Sequence, residues 1–516
     1  MTEIPVRAAA DALLFQGIDM GFKSQLKGFQ KNFWIVNVME MFERLAFFAV
    51  RAVLPLWMVA TADKQGLGLS FTEKGLIFMV WAACQTLIPM FSGSFTDNFG
   101  YKRSLYTAFT LNITGYVLMA NATGFWTMMV AGVTVGTGTA IFKPPVQGTV
   151  ASSVNEGNSS LGFGIFYWVV NIGNFMAPLL ASALRGSESA GYTWHLVFYA
   201  AAVATALNFI PAIFFYKEPA RKTSRSAKKA FGDTLTALKD LDFMMFLMIF
   251  SGFWLMFMQM WDLFPNFIDQ WVDSRKLAEF LPAFMTDNGS VKAEQIININ
   301  ALCIILFMVP WSMVTGKFAR LAAITAGILI TTFAFLGAGL FMAGTVTVLC
   351  IVLFSFGEMT CSPKFSEYIG VNAPADKKAL YMGLGNIPFA VGWIAGNALS
   401  GPLYDLYANK TLITKQYLLE VKKVPVETLQ QVVSSYIAEN PHRLLPETLE
   451  KMNVNTFDFF PYFQQTMGVD HYEANRILWE AYHPWKIWIV ISMFGFITIL
   501  MMLRFSLKKK RQSTGS

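Results

Sequence analysis

The chain has 516 residues, of which 54% are hydrophobic and 14% charged, with 48 Phe, 28 Met and 14 Trp. A soluble chain carries roughly a quarter charged residues, so this deficit excludes an ordinary cytosolic enzyme, a disordered chain and a fibrous repeat, and it points to a polytopic membrane protein. The formal net charge of +7 comes from 40 Lys and Arg against 33 Asp and Glu; its meaning lies in where the basic residues fall relative to a membrane, and it implies no nucleic-acid partner.

In chain order, the first thirty residues lack an unbroken apolar core followed by a small-residue cleavage site. No cleaved signal peptide is expected, and the first spanning helix must direct insertion itself. A spanning helix needs about 20 apolar residues. Such stretches begin near Phe33, Thr72, Ser104, Trp126, Leu161, Thr193, Phe243, Glu294, Leu321, Thr345, Leu380 and Trp485. The expected fold is therefore an all-α membrane protein with about 12 transmembrane helices. Several stretches carry an internal proline (Pro144, Pro178, Pro211, Pro310, Pro363), which spanning helices tolerate when neighbours re-satisfy the backbone. The cysteines Cys84, Cys303, Cys350 and Cys361 lie inside apolar runs with no metal-ligand spacing and read as small buried hydrophobes.

Lys23, Lys27 and Lys31 precede the first span, Lys102 and Arg103 follow the second, Lys317 and Arg320 follow the eighth, and LKKKR (507–511) follows the last. Basic residues concentrate on the cytoplasmic side, so both termini are expected there, in a multi-pass cell-membrane protein. The compact loops favour a bacterial inner membrane. The organisation reads as a cytoplasmic segment 1–32, an amino-terminal six-helix bundle 33–216, a basic cytoplasmic linker 217–242, a second six-helix bundle formed by 243–406 and 485–505, and a basic tail 506–516. The remaining stretch, 407–484, has helical periodicity in VPVETLQQVVSSYIAEN and LLPETLEKM and reads as a helical extracellular insertion between helices 11 and 12. Two bundles of six suggest a site at the bilayer midplane.

Ionisable side chains inside spans cost at least about 2.5 to 3.5 kcal/mol each, so each must be paired or face a cavity. The first span holds Glu40, Glu43, Arg44 and Arg51. Positions 40, 44, 47 and 51 share one helical stripe that rises about 16 Å. Two carboxylates beside a guanidinium that cannot lose its proton can exchange a proton with a change of pairing; the alternative is a static network that fixes helix packing. Lys143 lies in GTGTAIFKPP, where Gly136 and Gly138 permit close helix approach, and it needs an anion, with Glu40 or Glu43 the candidates. Glu358, in FSFGEMTCSP, places an anion in the opposite half, and the pair would suit a zwitterion; alternatively Glu358 pairs within its own bundle. Asp262 in the seventh span either gates by pairing with Arg51 or reaches the outer interface. The histidines His195, His442, His471 and His483 fall in or near the expected external regions, so carboxylates must carry any proton.

The loop GSFTDNFGYKR (93–103) resembles the G-x-x-x-D-x-x-G-x-[RK]-[RK] signature of the major facilitator superfamily, with a weaker echo at GKFAR (316–320). The resemblance implies that Gly93, Asp97 and Arg103 form a cytoplasmic gate motif. Within that superfamily, EMFERLAFFAVR (40–51) is similar to the E-x-x-E-R-F-x-Y-Y-G motif of the proton-dependent oligopeptide transporter family. GTGTAIFKPP (136–145), FYWVVNIGN (166–174), NALCIILFMVP (300–310) and GEMTCSP (357–363) match in the corresponding helices. The resemblance implies proton-driven import of di- and tripeptides by alternating access, with the proton as coupling ion, no cofactor, and function as a monomer in the bilayer. It assigns Glu40, Glu43, Arg44 and Lys143 to proton coupling. It assigns Arg51, Lys143 and Asn171 to the peptide carboxylate side, Asn300, Glu358 and Ser362 to the ammonium side, and Trp254 to the pocket wall.

Four positions depart from the family pattern. Phe47 and Phe48 stand where it has tandem tyrosines, Met258 where it has a glutamate, and Gly385 where it has a tryptophan, although Trp393 lies two turns on. The expected function is a proton-coupled peptide symporter; the alternatives are a transporter of another small zwitterion or anion on the same scaffold and a non-transporting membrane sensor. An enzyme is not expected, since no nucleophile–base pair, metal set or phosphate loop is readable.

Overall fold

In hydrocarbon the backbone must satisfy its own hydrogen bonds, which leaves apolar stretches of this length one choice, the α-helix. The computed structural model describes residues 26–61, 64–89, 96, 99–155, 158–218, 236–374, 378–439 and 452–514. The expectations for residues 1–25, for Gly93 and Asp97, for most of the linker 217–242 and for LLPETLEKM fall outside these residues. The long helices are α1 Lys31–Val59, α2 Phe71–Leu87, α3 Tyr101–Ala120, α4 Phe125–Ser152, α5 Ser159–Leu184 and α6 Trp194–Phe214. They continue as α7 Leu241–Trp261, α8 Ala293–Thr315, α9 Arg320–Leu340, α10 Gly344–Asn372, α11 Ile387–Tyr407 and α12 Lys486–Thr514. Among the described residues, eight helices are long and apolar enough to cross a membrane by length and composition alone. α1 is 29 residues long, but Glu40, Glu43, Arg44 and Arg51 interrupt its apolar run, and all four are buried.

Two helices break where the sequence reading has them continuous. The eleventh stretch, expected to start near Leu380, is a short helix Lys378–Leu384 followed by α11, with Pro388 in its first turn, where a missing N–H costs nothing. α7 tightens to a 3₁₀ turn over Met258–Trp261 and stops at Asp262, before a short helix Phe264–Trp271 with Pro265 in its first turn. This break turns the Asp262 side chain off the α7 register.

α1 packs on α5 and α6, α3 on α4 and α6, and α2 on α4; in the second half α7 packs on α11 and α12, α8 on α10, and α9 on α10 and α12. The two halves meet along α2 with α11 and α5 with α8. Glycines set the first seam: a Cβ at Gly401 would lie 2.3 Å from the Phe71 carbonyl oxygen, and one at Gly75 would lie 2.6 Å from that of Asn397. Gly136 and Gly138 also sit at close approaches, the first against Trp81 and Cys84 of α2 and the second against Asn112 of α3. Cys303, Cys350 and Cys361 are free and buried, and Cys84 is free and half-buried.

The segment between α11 and α12 is helical where described, with helices Lys410–Gln416, Val426–Glu439, Phe460–Met467 and His471–Tyr482. It seats on the short helix after α7: Trp271 Nε1 donates to the Ala408 carbonyl at 2.9 Å, and Asn475 Nδ2 to that of Gln270 at 3.2 Å. Two hairpins unforeseen from sequence lie on this side, β1 Gly186–Ser187 with β2 Gly191–Tyr192, and β3 Thr286–Asp287 with β4 Ser290–Val291. They join where Asp287 accepts from the Glu188 N–H and the Tyr192 hydroxyl, each at 3.1 Å.

Replacing Gly401 by alanine drives a methyl into backbone, and overpacking of this kind costs about 1 to 3 kcal/mol; the expected result is a lower melting temperature for detergent-solubilised Gly401→Ala, with Gly383→Ala, which meets nothing within 4 Å, unchanged in packing terms. Inside the insertion, the Lys410 ammonium lies 3.4 Å from the Phe460 ring centroid, and burial pushes its pKa down from 10.5 to about 7. Between those values the unfolded chain holds a proton that the folded chain lacks, so this group's penalty is full below pH 7 and fades as pH rises towards 10.5. Lys410→Met is therefore expected to raise the melting temperature more at pH 6 than at pH 9; equal shifts would contradict this account.

Candidate functional site

The charged stripe of α1 folds onto itself. Arg44 Nε donates to Glu43 Oε2 at 2.6 Å and lies 3.2 Å from Glu40 Oε1, and a guanidinium Nη2 also pairs with Glu43. One guanidinium thus serves two carboxylates, and all three side chains are at least nine-tenths buried. Lys143 of α4 is half-buried and stands within electrostatic reach of the three, which brings the sum of these charges to zero. α5 presses on this group so closely that a Cβ at Gly173 would lie 2.9 Å from Arg44 Cβ. The Phe47 and Phe48 rings flank the guanidinium at 5.1 and 5.8 Å to their centroids. A residue the sequence reading missed, Tyr116 of α3, is fully buried with its hydroxyl unpartnered and feels the charges of Glu43 and Arg44. Its position mid-helix in an apolar stretch was the available signal.

Arg51 ends the stripe two turns further along. Its guanidinium sits 4.2 Å from the Phe78 ring centroid, 5.7 Å from Trp81 and 5.8 Å from Trp393, and Nη2 donates to the Trp261 carbonyl at 3.4 Å. A planar cation is well held by aromatic faces in a dry site. Trp393 of α11 therefore supplies an aromatic wall that Gly385 does not. Met258 is buried and brings no charge.

Asp262 does not pair with Arg51. Its carboxylate makes an ion pair at 2.8 Å with Lys74 of α2, and both side chains are fully buried. Lys74 Nζ also donates to the Asp262 carbonyl at 2.9 Å and to Asn266 Oδ1 at 3.0 Å, while Asn266 Nδ2 donates to the Pro55 carbonyl at 2.9 Å. The break after α7 explains the change of partner, because it turns Asp262 towards α2 and leaves Arg51 to the rings. Lys74, four residues into α2 in SFTEKG, reads from sequence as an ordinary helix-start charge.

Across the interface, Asn300 of α8 donates to Glu358 Oε2 at 2.9 Å and to Ser355 Oγ at 3.0 Å, which orients the carboxylate within its own bundle. Its reach extends further: Tyr167 of α5, in the other half, lies in the electrostatic field of Glu358. Asn171, one turn on, is buried and donates Nδ2 to the Tyr167 carbonyl at 2.8 Å. Ser362 follows Glu358 by one turn, with Cys361 Sγ at 3.9 Å from its hydroxyl. Trp254 packs edge-on against Phe389 of α11 at 4.9 Å and against Phe257 at 5.1 Å. Arg103 is exposed at the start of α3, 5.9 Å from the Phe99 ring, while Gly93 and Asp97 lie outside the described residues.

A cavity between the halves is lined by Phe48, Arg51, Asn174, Glu294, Asn298 and Asn300, among others, and holds about 20 Å³ of water-accessible space, room on the order of one or two waters. It is shut on the side of the insertion by Lys74–Asp262, by Thr72 Oγ1 donating to Asp405 at 2.9 Å, by Phe71 stacked on Tyr404 at 4.1 Å, and by Arg185–Glu294 at 2.6 Å.

The sequence profile of the Major Facilitator Superfamily matches residues 36–404. The chain belongs to that superfamily. It is 28% identical to a di-/tripeptide transporter of Lactococcus lactis subsp. cremoris over 241 residues, 43% of this chain and 45% of that protein, so the match spans less than half of that relative. It is 23% identical to the multidrug resistance protein MdtH of Yersinia enterocolitica over 387 residues, 75% of this chain and 89% of that protein. In fold it is similar to a POT family transporter crystallised with a thioalcohol-conjugated peptide, with a TM-score of 0.65 at 16% identity over 94% of this chain and 99% of that one. Membership of this superfamily makes the chain a membrane transporter rather than an enzyme, in agreement with the motifs read along the sequence.

Removing one member of a buried ion pair leaves a stranded charge at a cost of about 3 to 5 kcal/mol, whereas replacing both by apolar residues is often neutral. Lys74→Met and Asp262→Leu alone are each expected to lower the melting temperature markedly, and the double substitution to recover most of the loss; additive single losses would show that the pair is not coupled.

Proposed function

We propose that this chain is a proton-coupled symporter that imports di- and tripeptides by alternating access. The observation that carries the reading is the sharing of the Arg44 guanidinium by Glu40 and Glu43 on the same buried face as Arg51, opposite a Glu358 held by Asn300. A proton on either carboxylate leaves Arg44 with the other and leaves Lys143 as the cation in excess, ready for a substrate carboxylate. Arg51 and Lys143 then meet the peptide carboxylate and Glu358 its ammonium, and the zwitterion draws the halves together. Release of the proton restores the shared guanidinium. Asn171, Ser362 and Trp254 complete the pocket, with Gly93, Asp97 and Arg103 locking the cytoplasmic side and Lys74–Asp262 the external one. The chain works as a monomer with both termini cytoplasmic, in a bacterial inner membrane, and the electrical gradient adds about 2.3 kcal/mol per charge per 100 mV. Its relatives named di-/tripeptide transporters support the peptide substrate.

A second reading keeps the scaffold and changes the cargo to another small zwitterion or anion. It is favoured by the apolar wall at Phe47 and Phe48, which replaces two hydroxyls of the family motif, and by Met258. Internal acidification of proteoliposomes, with a pH dye inside and an imposed negative potential, separates the two. Dialanine and trialanine are expected to acidify the lumen while alanine and nitrate do not, and Glu43→Gln to abolish the signal. Acidification by another solute alone would move the assignment to that solute, and silence with all of them would overturn the peptide reading in favour of an untested cargo or a sensing role.

A further inference from the structure

Beyond the α1 charges, Glu358, Asp262 and Asp405, a further carboxylate lies in the seam between the halves. Glu294, in the first turn of α8, has a fully buried side chain and uses a single oxygen: Oε1 accepts from Arg185 Nε at 2.6 Å and from Ser182 Oγ at 2.7 Å, both on the α5 side. Its other oxygen, Oε2, is buried with no hydrogen-bond partner. Asn298, one turn further along α8, repeats the arrangement. Its Nδ2 donates to the Phe175 carbonyl of α5 at 3.0 Å, and its Oδ1 is buried and unpartnered. Both residues line the cavity that also holds Arg51 and Asn300. Residues four apart share a helix face, so α8 carries two residues with orphan acceptors that both line this cavity, and a buried acceptor left unmade costs about 1 to 3 kcal/mol. Arg185 has a second anion in reach in the closed state, Asp287 at 3.6 Å.

We propose that Glu294 and Asn298 form an outer subsite for the ammonium of the substrate, occupied before Glu358 and emptied by Arg185; this rests on the zwitterion reading of the site. When α5 and α8 separate on the insertion side, Arg185 leaves with α5 and Glu294 is exposed to the vestibule. A primary ammonium has three donors and no acceptor, which matches a carboxylate and an amide oxygen on one face. On closure Arg185 returns to Glu294 and displaces the ammonium, and the cavity shrinks to the space seen here. The displaced group has a path to its next anion, because Asn300 lines this cavity and also donates to Glu358. From Glu294 to Asn300, the residue that holds Glu358, the helix rises about 9 Å.

The test compares dialanine with N-acetyl-dialanine, which keeps the carboxylate and lacks the cation, in proteoliposomes containing the full chain. Uptake of labelled dialanine gives KM and kcat, and competition gives the inhibition constant of the acetylated compound. Glu294→Gln is expected to raise KM for dialanine about tenfold, as for one lost charged hydrogen bond, with the constant for N-acetyl-dialanine moved less than about twofold on the same ground. Asn298→Leu, which leaves the Arg185–Glu294 pair in place, is expected to show the same preference change at about threefold, a neutral bond being weaker. Equal shifts for both compounds would reduce Glu294 to a structural latch and overturn the subsite, as would no shift in either. Absence of dialanine uptake by the unsubstituted protein would instead overturn the peptide reading itself, with Glu358→Gln equally silent.

Discussion

Everything in this molecule is arranged around a guanidinium that cannot give up its proton in a place where charge is expensive. Arg44 is buried in the first helix, and its geometry lets it hold Glu40 from one turn below and Glu43 from the adjacent position at once. Three charges share one network and Lys143 brings the sum to zero, so in the proposed function a proton added to either carboxylate changes which partners hold and leaves one cation for the substrate. The glycine at position 173 lets α5 lie directly on this arginine, so a change in pairing is felt by a helix that also forms the seam with the other half.

The two halves are joined by different physics on their two seams. Between α2 and α11 the contact is close, set by Gly75 and Gly401, with Phe71 stacked on Tyr404 and Thr72 Oγ1 donating to Asp405. Between α5 and α8 it is a run of buried polar groups: Gln295 Nε2 donates to the Pro178 carbonyl, and Lys292 Nζ to the Ser182 and Gly186 carbonyls, each at 2.8 to 2.9 Å. Glycine contacts slide apart with small loss. Polar groups in the other seam must find new partners, and water entering from the open side supplies them. A seam of this second kind is stable when closed and tolerable when wet, which is what the proposed alternating access asks of it.

The sequence carried much of the fold. The apolar stretches predicted helices that start within a few residues of the observed ones, since hydrocarbon thickness and backbone self-satisfaction leave little freedom. The helical character of 426–439 and the close approaches at Gly136 and Gly138 were equally legible, because periodicity and residue size are local properties. The breaks at Asp262 and at Gly385–Asn386 were not read, although Pro265 and Pro388 stand just beyond them, because a proline in an apolar stretch fits a continuous spanning helix as well as a broken one. The small hairpins at Gly186–Tyr192 and Thr286–Val291 went unseen because each strand is only two residues long.

The candidate site divides the same way. Glu40, Glu43, Arg44, Arg51, Lys143 and Glu358 stood out one by one because a charge in a membrane helix must have a reason, and that reasoning needs only composition and position. Which charge meets which was decided by the tertiary structure. Lys74, not Arg51, holds Asp262, because the chain breaks there and turns the carboxylate across the interface. Trp393 comes to Arg51 from a helix more than three hundred residues away, and Glu294, at the edge of an apolar stretch, becomes an interior residue only once α5 covers it. Sequence by itself determined which side chains could not stay alone in the bilayer; the packing of helices distant in the chain decided their partners, since a charge is stabilised by what lies within a few ångströms in space and not by its neighbours in order.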